Sequence, residues 1–222
     1  MSRRSPVGVP GCRPRWRVRD DGRPAPDDER TAVPARPDPT AHRDVPGPSA
    51  LPAPPVAPGV TDAVSAQDVE VLTEQLGRPP RGVVGVAARC VCGRPLVVRT
   101  APRLDDGTPF PTTYYLTSPQ AVAAVSSVEA TGVMKEMTQR LAEDDELAAA
   151  HRRAHEAYLA DREAIAHVPE IAGISAGGMP QRVKCLHVLV AHALAAGPGV
   201  NPVGDEALAM VADRWRPDRC TC

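Results

Sequence analysis

Fourteen of the chain's 26 prolines fall within its first 60 residues, and that distribution decides how much of the 222-residue chain can fold. Proline fixes φ and removes an amide donor, so a stretch this dense in it builds neither a helix interior nor a central strand. From Met1 to Pro58 the rest is largely Arg, Asp and Ala without apolar periodicity, too little burial to offset the entropy of ordering. Residues 1–60 are therefore expected to be a disordered Pro/Arg-rich arm, and residues 61–222 a single domain with one core. The patterned sequence begins abruptly at Val60-Thr61-Asp62, and a valine codon can start bacterial translation. A second expectation is thus that the arm is not made at all.

The first 19 residues hold six Arg, no acid and Trp16, a composition able to touch nucleic acid, but Asp20, Asp21, Asp27, Asp28 and Glu29 follow at once. Residues 1–60 carry ten Arg and seven acidic residues, so a net charge of −1 for the whole chain leaves −4 on the remainder. A mildly acidic body argues against nucleic acid as the partner. The start lacks the apolar run of roughly 7 to 15 residues that a secretory signal needs. The longest apolar stretch, Val183 to Ala196, carries Lys184, His187 and His192 and falls short of the roughly 20 residues of a membrane span. A cytoplasmic protein is expected, whose six cysteines would be free thiols or metal ligands rather than structural disulfides.

One Phe, two Trp and three Tyr leave a core of Ala, Val and Leu, which suits helical packing. Ser65-Ala66-Gln67-Asp68 reads as a capping box, and Val69, Leu72 and Leu76 recur at helical spacing before Gly77 stops the run. Gly82 to Arg89 and Arg94 to Thr100 are β-rich runs joined by Cys90-Val91-Cys92-Gly93, a hairpin. Thr112 to Thr117 supplies a third strand after the turn at Asp105 to Pro109. Ser118-Pro119 opens a helix to about Ala130, followed by helices over Met134 to Leu141, Asp144 to about His167, Pro180 to Ala196 and Asp205 to Trp215. The fold class is α+β: a small three-stranded antiparallel sheet packed with a predominantly helical C-terminal part.

The segments TAPRLDDGTPFPTTYYLTSP (Thr100 to Pro119), AHEAYLADR (Ala154 to Arg162) and GISAGGMPQRVKCLHVLVAHALAAGPGVNPVGDEAL (Gly173 to Leu208) resemble an actinobacterial family filed as domain of unknown function 501. The likeness extends over about residues 62–216 and leaves the arm outside. It implies no reaction. Genes of that family often lie beside those for a septum-formation initiator and an exopolyphosphatase-like protein, so the resemblance implies a protein partner in cell division or polyphosphate metabolism. Many members carry cysteine where this chain has Ser118. If that cysteine is a ligand in them, this chain has lost it or replaced it from its tail.

Two constellations carry chemistry. Cys90 and Cys92 at the hairpin tip, Cys185 on the expected central helix, and Cys220 and Cys222 in the tail form a candidate set for zinc or an iron–sulfur cluster. The alternative is ordinary buried thiols and an exposed tail. Within a helix, Cys185 and His187 point roughly 160–200° apart, which excludes a shared ion and also a Cys185 nucleophile with His187 as its base. The second constellation is the loop Ser175, Gly177 and Gly178 before a helix N-terminus, with Arg182 and Lys184 on that helix and Arg103 nearby, a candidate anion site. Its alternative is a tight glycine turn with Lys184 snorkelling or ion-paired. His151 and His155 are expected on a solvated helix face, and Glu143 to Glu146 at a helix N-terminus by its dipole.

Three readings of function stay open at this level. One is a non-catalytic accessory protein holding a metal through its cysteines. Another is a small enzyme or sensor for a phosphorylated or carboxylated ligand at the Ser175 to Lys184 loop. The third is a protein-interaction module using the charged helix from Asp144. No residue is assigned a catalytic role.

Overall fold

A computed structural model describes residues 62–222. The expectations for the arm, and for the start of translation, lie outside the described residues. No described helix is long and apolar enough to cross a membrane.

Helix α1 (Ala66–Leu76) opens on the expected capping box: Ser65 Oγ accepts from the Asp68 amide, and Asp68 accepts from the Ser65 amide. Gly77, at φ +66°, closes it. Strands β1 (Val83–Arg89), β2 (Pro95–Thr100) and β3 (Tyr114–Leu116) form an antiparallel sheet in chain order. β2 is the central strand, and Leu96, Val97 and Val98 on it are almost fully buried. Ser118 and Pro119 start α2 (Pro119–Glu129), after which come α3 (Val133–Glu143) and α4 (Asp145–Glu163), the latter capped by Asp144. Helices α5 (Leu186–Ala196) and α6 (Pro202–Val211) complete the α+β fold.

α5 is the centre of the molecule. It lies against all three strands, chiefly β3, and against α2 and α6. Leu186, Leu189, Val190, Ala191, His192 and Ala193 on it are buried, as its all-round apolar sequence requires. It packs on α6 at Gly204, where a Cβ would stand 2.3 Å from the Leu189 carbonyl oxygen, so no larger residue fits without moving a helix.

Two helices start well away from where the sequence reading put them, and α4 ends at Glu163 instead of about His167. The central helix begins at Leu186, not at Pro180. Gly177 and Gly178, at φ +73° and +94°, fold residues 178–184 back on themselves. The Lys184 amide then donates to Gly177 O at 2.7 Å instead of continuing a helix. The last helix runs over Pro202–Val211 instead of Asp205 to Trp215. Asn201 is its N-cap and Pro202 its first residue, the same pairing that Ser118 and Pro119 make at α2.

Candidate metal centres

The turn at the hairpin tip is not an extended C-x-C segment. The Gly93 amide donates to Cys90 O at 2.8 Å and the Cys90 amide to Arg94 O at 2.9 Å, closing a three-residue loop with Gly93 at φ +88°. The turn curls Cys92 back over Cys90. In this arrangement the Cys92 amide faces the Cys90 sulfur and the Arg94 amide faces the Cys92 sulfur.

The tail reaches the same place. After α6 the chain anchors Trp215 in the core at 4% exposure, and a tight turn pairs Arg216 with Arg219. Cys220 and Cys222 then meet the hairpin, so that the sulfurs of Cys90, Cys92, Cys220 and Cys222 all lie within 4.8 Å of one another. All four are free thiols. The Arg94 amide draws the Cys92 thiol down to about 7. Loss of hydration pushes the Cys90 thiol up, and loss of hydration together with the neighbouring Cys90 and Cys92 pushes Cys222 up to about 12.

Arg89 holds this corner to the rest of the protein. Its guanidinium grips Asp68 through two bonds, at 2.7 and 3.0 Å, and reaches Asp62 at 2.9 Å and the Gly93 carbonyl at 3.0 Å. Asp68 is buried, and Arg89 first, then the Ser65 amide and hydroxyl, hold its carboxyl well below the usual carboxylate range. One charged fork thus ties the N-terminus of α1 to the loop that presents Cys92.

Cys185 stands elsewhere. It is the N-cap of α5 in extended conformation, φ −148° and ψ 111°, so the step from Cys185 to His187 crosses from strand-like to helical backbone. The two side chains converge instead of diverging: Cys185 Sγ lies 3.9 Å from His187 Nδ1. This overturns the expectation that they cannot share an ion, because that expectation placed both inside a helix. Glu129, the last residue of α2, completes the group with Oε1 3.2 Å from the same Nδ1, and the three donor atoms lie within 4.8 Å of one another. Glu129 Oε1 also accepts the Leu186 amide at 2.6 Å. Across the ring, His187 Nε2 faces the Val122 carbonyl at 3.2 Å and the Ser126 hydroxyl at 3.1 Å. The thiol beside it, and then Glu129, raise His187 to about 9. Nothing in the sequence singled out Glu129, which joins the group only through the packing of α2 on α5.

The loop taken as an anion site does not stand before a helix N-terminus. The first residue of α5 is Leu186, and the place an anion would occupy there holds the Glu129 carboxylate. Gly177 offers its carbonyl to the Lys184 and Cys185 amides, at 2.7 and 3.3 Å, and Gly178 its carbonyl to the Arg182 amide at 3.1 Å. Ser175 Oγ pairs with His155 Nδ1 at 2.9 Å. Arg182 and Lys184 are exposed, so Lys184 is not inside a buried helix. Arg103 is engaged with both oxygens of Glu170, at 2.7 Å, and with the Gly107 carbonyl at 2.7 Å.

His151 and His155 also depart from expectation. His151, Ala154, Tyr158 and Arg162 make the buried stripe of α4, and His151 is fully buried. Burial lowers both histidines, which favours the neutral rings. Arg162 is 1% exposed and donates to the Ile171 carbonyl at 2.8 Å and to the Ile174 carbonyl, pinning the start of the glycine loop to α4.

A family model described as a protein of unknown function, DUF501, matches residues 86–209, more than half of the 222 residues. The chain belongs to the DUF501 family. The match is narrower than the range 62–216 over which the likeness is seen in the sequence. It contains Cys90, Cys92, Glu129, Cys185 and His187, whereas the tail cysteines lie beyond it. No curated protein and no solved structure matches this DUF501 chain. Ser118 caps α2 by accepting the Ala121 amide at 3.4 Å. Cys222 lines a small pocket together with Pro119 and Gln120, the two residues that follow Ser118.

Proposed function

We propose that Cys90, Cys92, Cys220 and Cys222 hold one zinc ion in a closed tetrahedral site that clips the tail to the hairpin tip, in a non-catalytic accessory protein. The observation that carries this reading is the convergence of four sulfurs within 4.8 Å from segments 128 residues apart, counted from Cys92 to Cys220. Zinc–sulfur bonds of about 2.3 Å put tetrahedral sulfurs about 3.8 Å apart, inside that 4.8 Å limit. A polynuclear iron–sulfur cluster places several atoms between its ligands and needs a wider cage, so a single ion fits better. The amides facing Cys90 and Cys92 stabilise thiolate there, as the outer shell of a metal site does. Four protein ligands leave no open position, so the ion's role is structural.

Protein purified anaerobically should carry one zinc per chain more than Cys220→Ser/Cys222→Ser does, read by elemental analysis of both. Equal metal content in the two proteins, or a mass two hydrogens light from a tail-to-hairpin disulfide, sinks the proposal. Iron in place of zinc overturns the choice of ion.

A further inference from the structure

We propose that Glu129 Oε1, Cys185 Sγ and His187 Nδ1 form a second metal site, in which a divalent cation of the zinc class keeps one coordination position open to an apolar cavity.

The distances fit. Zinc bonds of about 2.0–2.3 Å set tetrahedral ligand atoms about 3.3–3.8 Å apart. The separations are 3.2 Å from Nδ1 to the carboxylate and 3.9 Å from Nδ1 to sulfur.

The hydrogen bonds leave a place for a cation at the same point. The Val122 carbonyl can only accept, so His187 Nε2 carries a hydrogen. Nδ1 then faces the Glu129 carboxylate and the Cys185 sulfur, and either a second ring proton or a metal cation fills the space between the three. A ring nitrogen donating to a backbone carbonyl while the other faces a thiol and a carboxylate is the outer-shell pattern of a metal-bound histidine. A nucleophilic triad needs the opposite layout, with the nucleophile on one ring nitrogen and the orienting acid on the other. Here both Cys185 and Glu129 lie on the Nδ1 side, so the thiolate gains no base that is free of the carboxylate. The three donors instead surround one point.

The site is open where the clip is closed. Cys185 and His187 line a cavity of about 280 Å³ whose other walls include Tyr114, Leu116, Val122 and Val188. A thiolate and a carboxylate neutralise a divalent ion, which leaves an uncharged complex suited to that apolar wall. The open position takes a water molecule, or the oxygen of a small, mainly apolar ligand bearing a carboxylate or hydroxamate group.

The test uses the Cys220→Ser/Cys222→Ser protein, in which the clip cannot close, with folding verified by circular dichroism. Loaded with Co²⁺, it should bind one equivalent, with a thiolate-to-cobalt band that disappears in the further variant Cys185→Ser. Benzohydroxamate should shift the visible d–d bands by occupying the open position. A folded protein that binds no Co²⁺, or a band that survives Cys185→Ser, overturns the site. Visible bands unmoved by saturating benzohydroxamate overturn the open position. If the tail variant does not fold, wild-type protein is used: two metal equivalents falling to one in Cys185→Ser supports the site, and an unchanged content overturns it.

Discussion

The four-cysteine clip and the Glu129, Cys185 and His187 group differ in how the fold assembles them. The clip sits at the edge. Three of its four cysteines are exposed, and its parts are a five-residue turn and a three-residue tail, held in place by Arg89 and Trp215. The internal group is half-buried at the joint of α2 and α5, and its donors belong to the ends of helices that pack in the core. The comparison shows two ways to bring ligands together. Ligands on edge segments depend on a few anchors, here Arg89 and Trp215, so losing an anchor frees them. Ligands at helix ends are placed by the core and stay in position whether or not an ion is present.

The largest effect that separates the two regions is expected from Trp215→Ala. Truncating a buried tryptophan costs about 3–5 kcal/mol, and the tail it anchors should release its zinc while the internal site keeps its cobalt. Denaturant melts with metal analysis check both halves, and retention of zinc by the clip would remove Trp215 as its anchor.

Acid should act on the core side of the comparison. His192 is fully buried between Tyr114 and Tyr158, with ring centroids at 5.6 and 5.2 Å. The Asn201 amide donates to its Nδ1 at 3.2 Å, which requires a neutral ring with the hydrogen on Nε2. Burial lowers His192 from 6.5 to about 4, with Asp161 opposing. The folded state therefore binds this proton less readily than the unfolded chain. Its contribution is full above about pH 6.5 and lost as pH falls to about 4, on the order of 3 kcal/mol. His151, lowered by its own burial, acts with the same sign. Urea midpoints from pH 7 to 4.5 in the Cys220→Ser/Cys222→Ser background should show this slope, reduced in His192→Phe. An equal slope in both would move the acid sensitivity elsewhere.

Arg89→Ala is expected to cost about 2 kcal/mol, because it leaves buried Asp68 without its cation and Gly93 without a donor. It should weaken metal binding at the clip and leave the internal site unchanged. Glu129→Gln is the smallest change. It keeps an acceptor for the Leu186 amide and should cost about 0.5–1 kcal/mol while abolishing cobalt binding at the internal site alone. Cobalt titration of the two variants side by side checks both, and loss of both sites in either variant would break the distinction between them.

Much of the fold was legible in the residues because its signals are local. The Ser65 capping box, the hairpin around Cys90 to Arg94 and the Ser118-Pro119 helix start each depend on neighbours in the chain. The misread elements have non-local causes. The apolar run from Val183 suggested one long helix, yet Thr138 on α3 accepts the Val183 amide at 3.0 Å and Gly177 takes the Lys184 amide at 2.7 Å, so tertiary acceptors replace helical ones. α4 looked solvated because His151 and His155 stand among charged residues. His151 occupies a core position, and so does Arg162, which is accommodated there by two backbone carbonyls.

The same division holds for the sites. The sequence by itself determined which cysteines the molecule has, that Cys90 and Cys92 share a hairpin tip, and that an α+β domain follows a proline-rich arm, since turn chemistry and periodicity act over a few residues. Only the tertiary structure decided that Cys220 and Cys222 return to that tip, and that Cys185 instead joins Glu129 and His187. Spacing along a chain does not encode where Trp215 docks or how α2 meets α5. Those placements follow from burying apolar surface between elements, and the donor atoms go where the packing carries them.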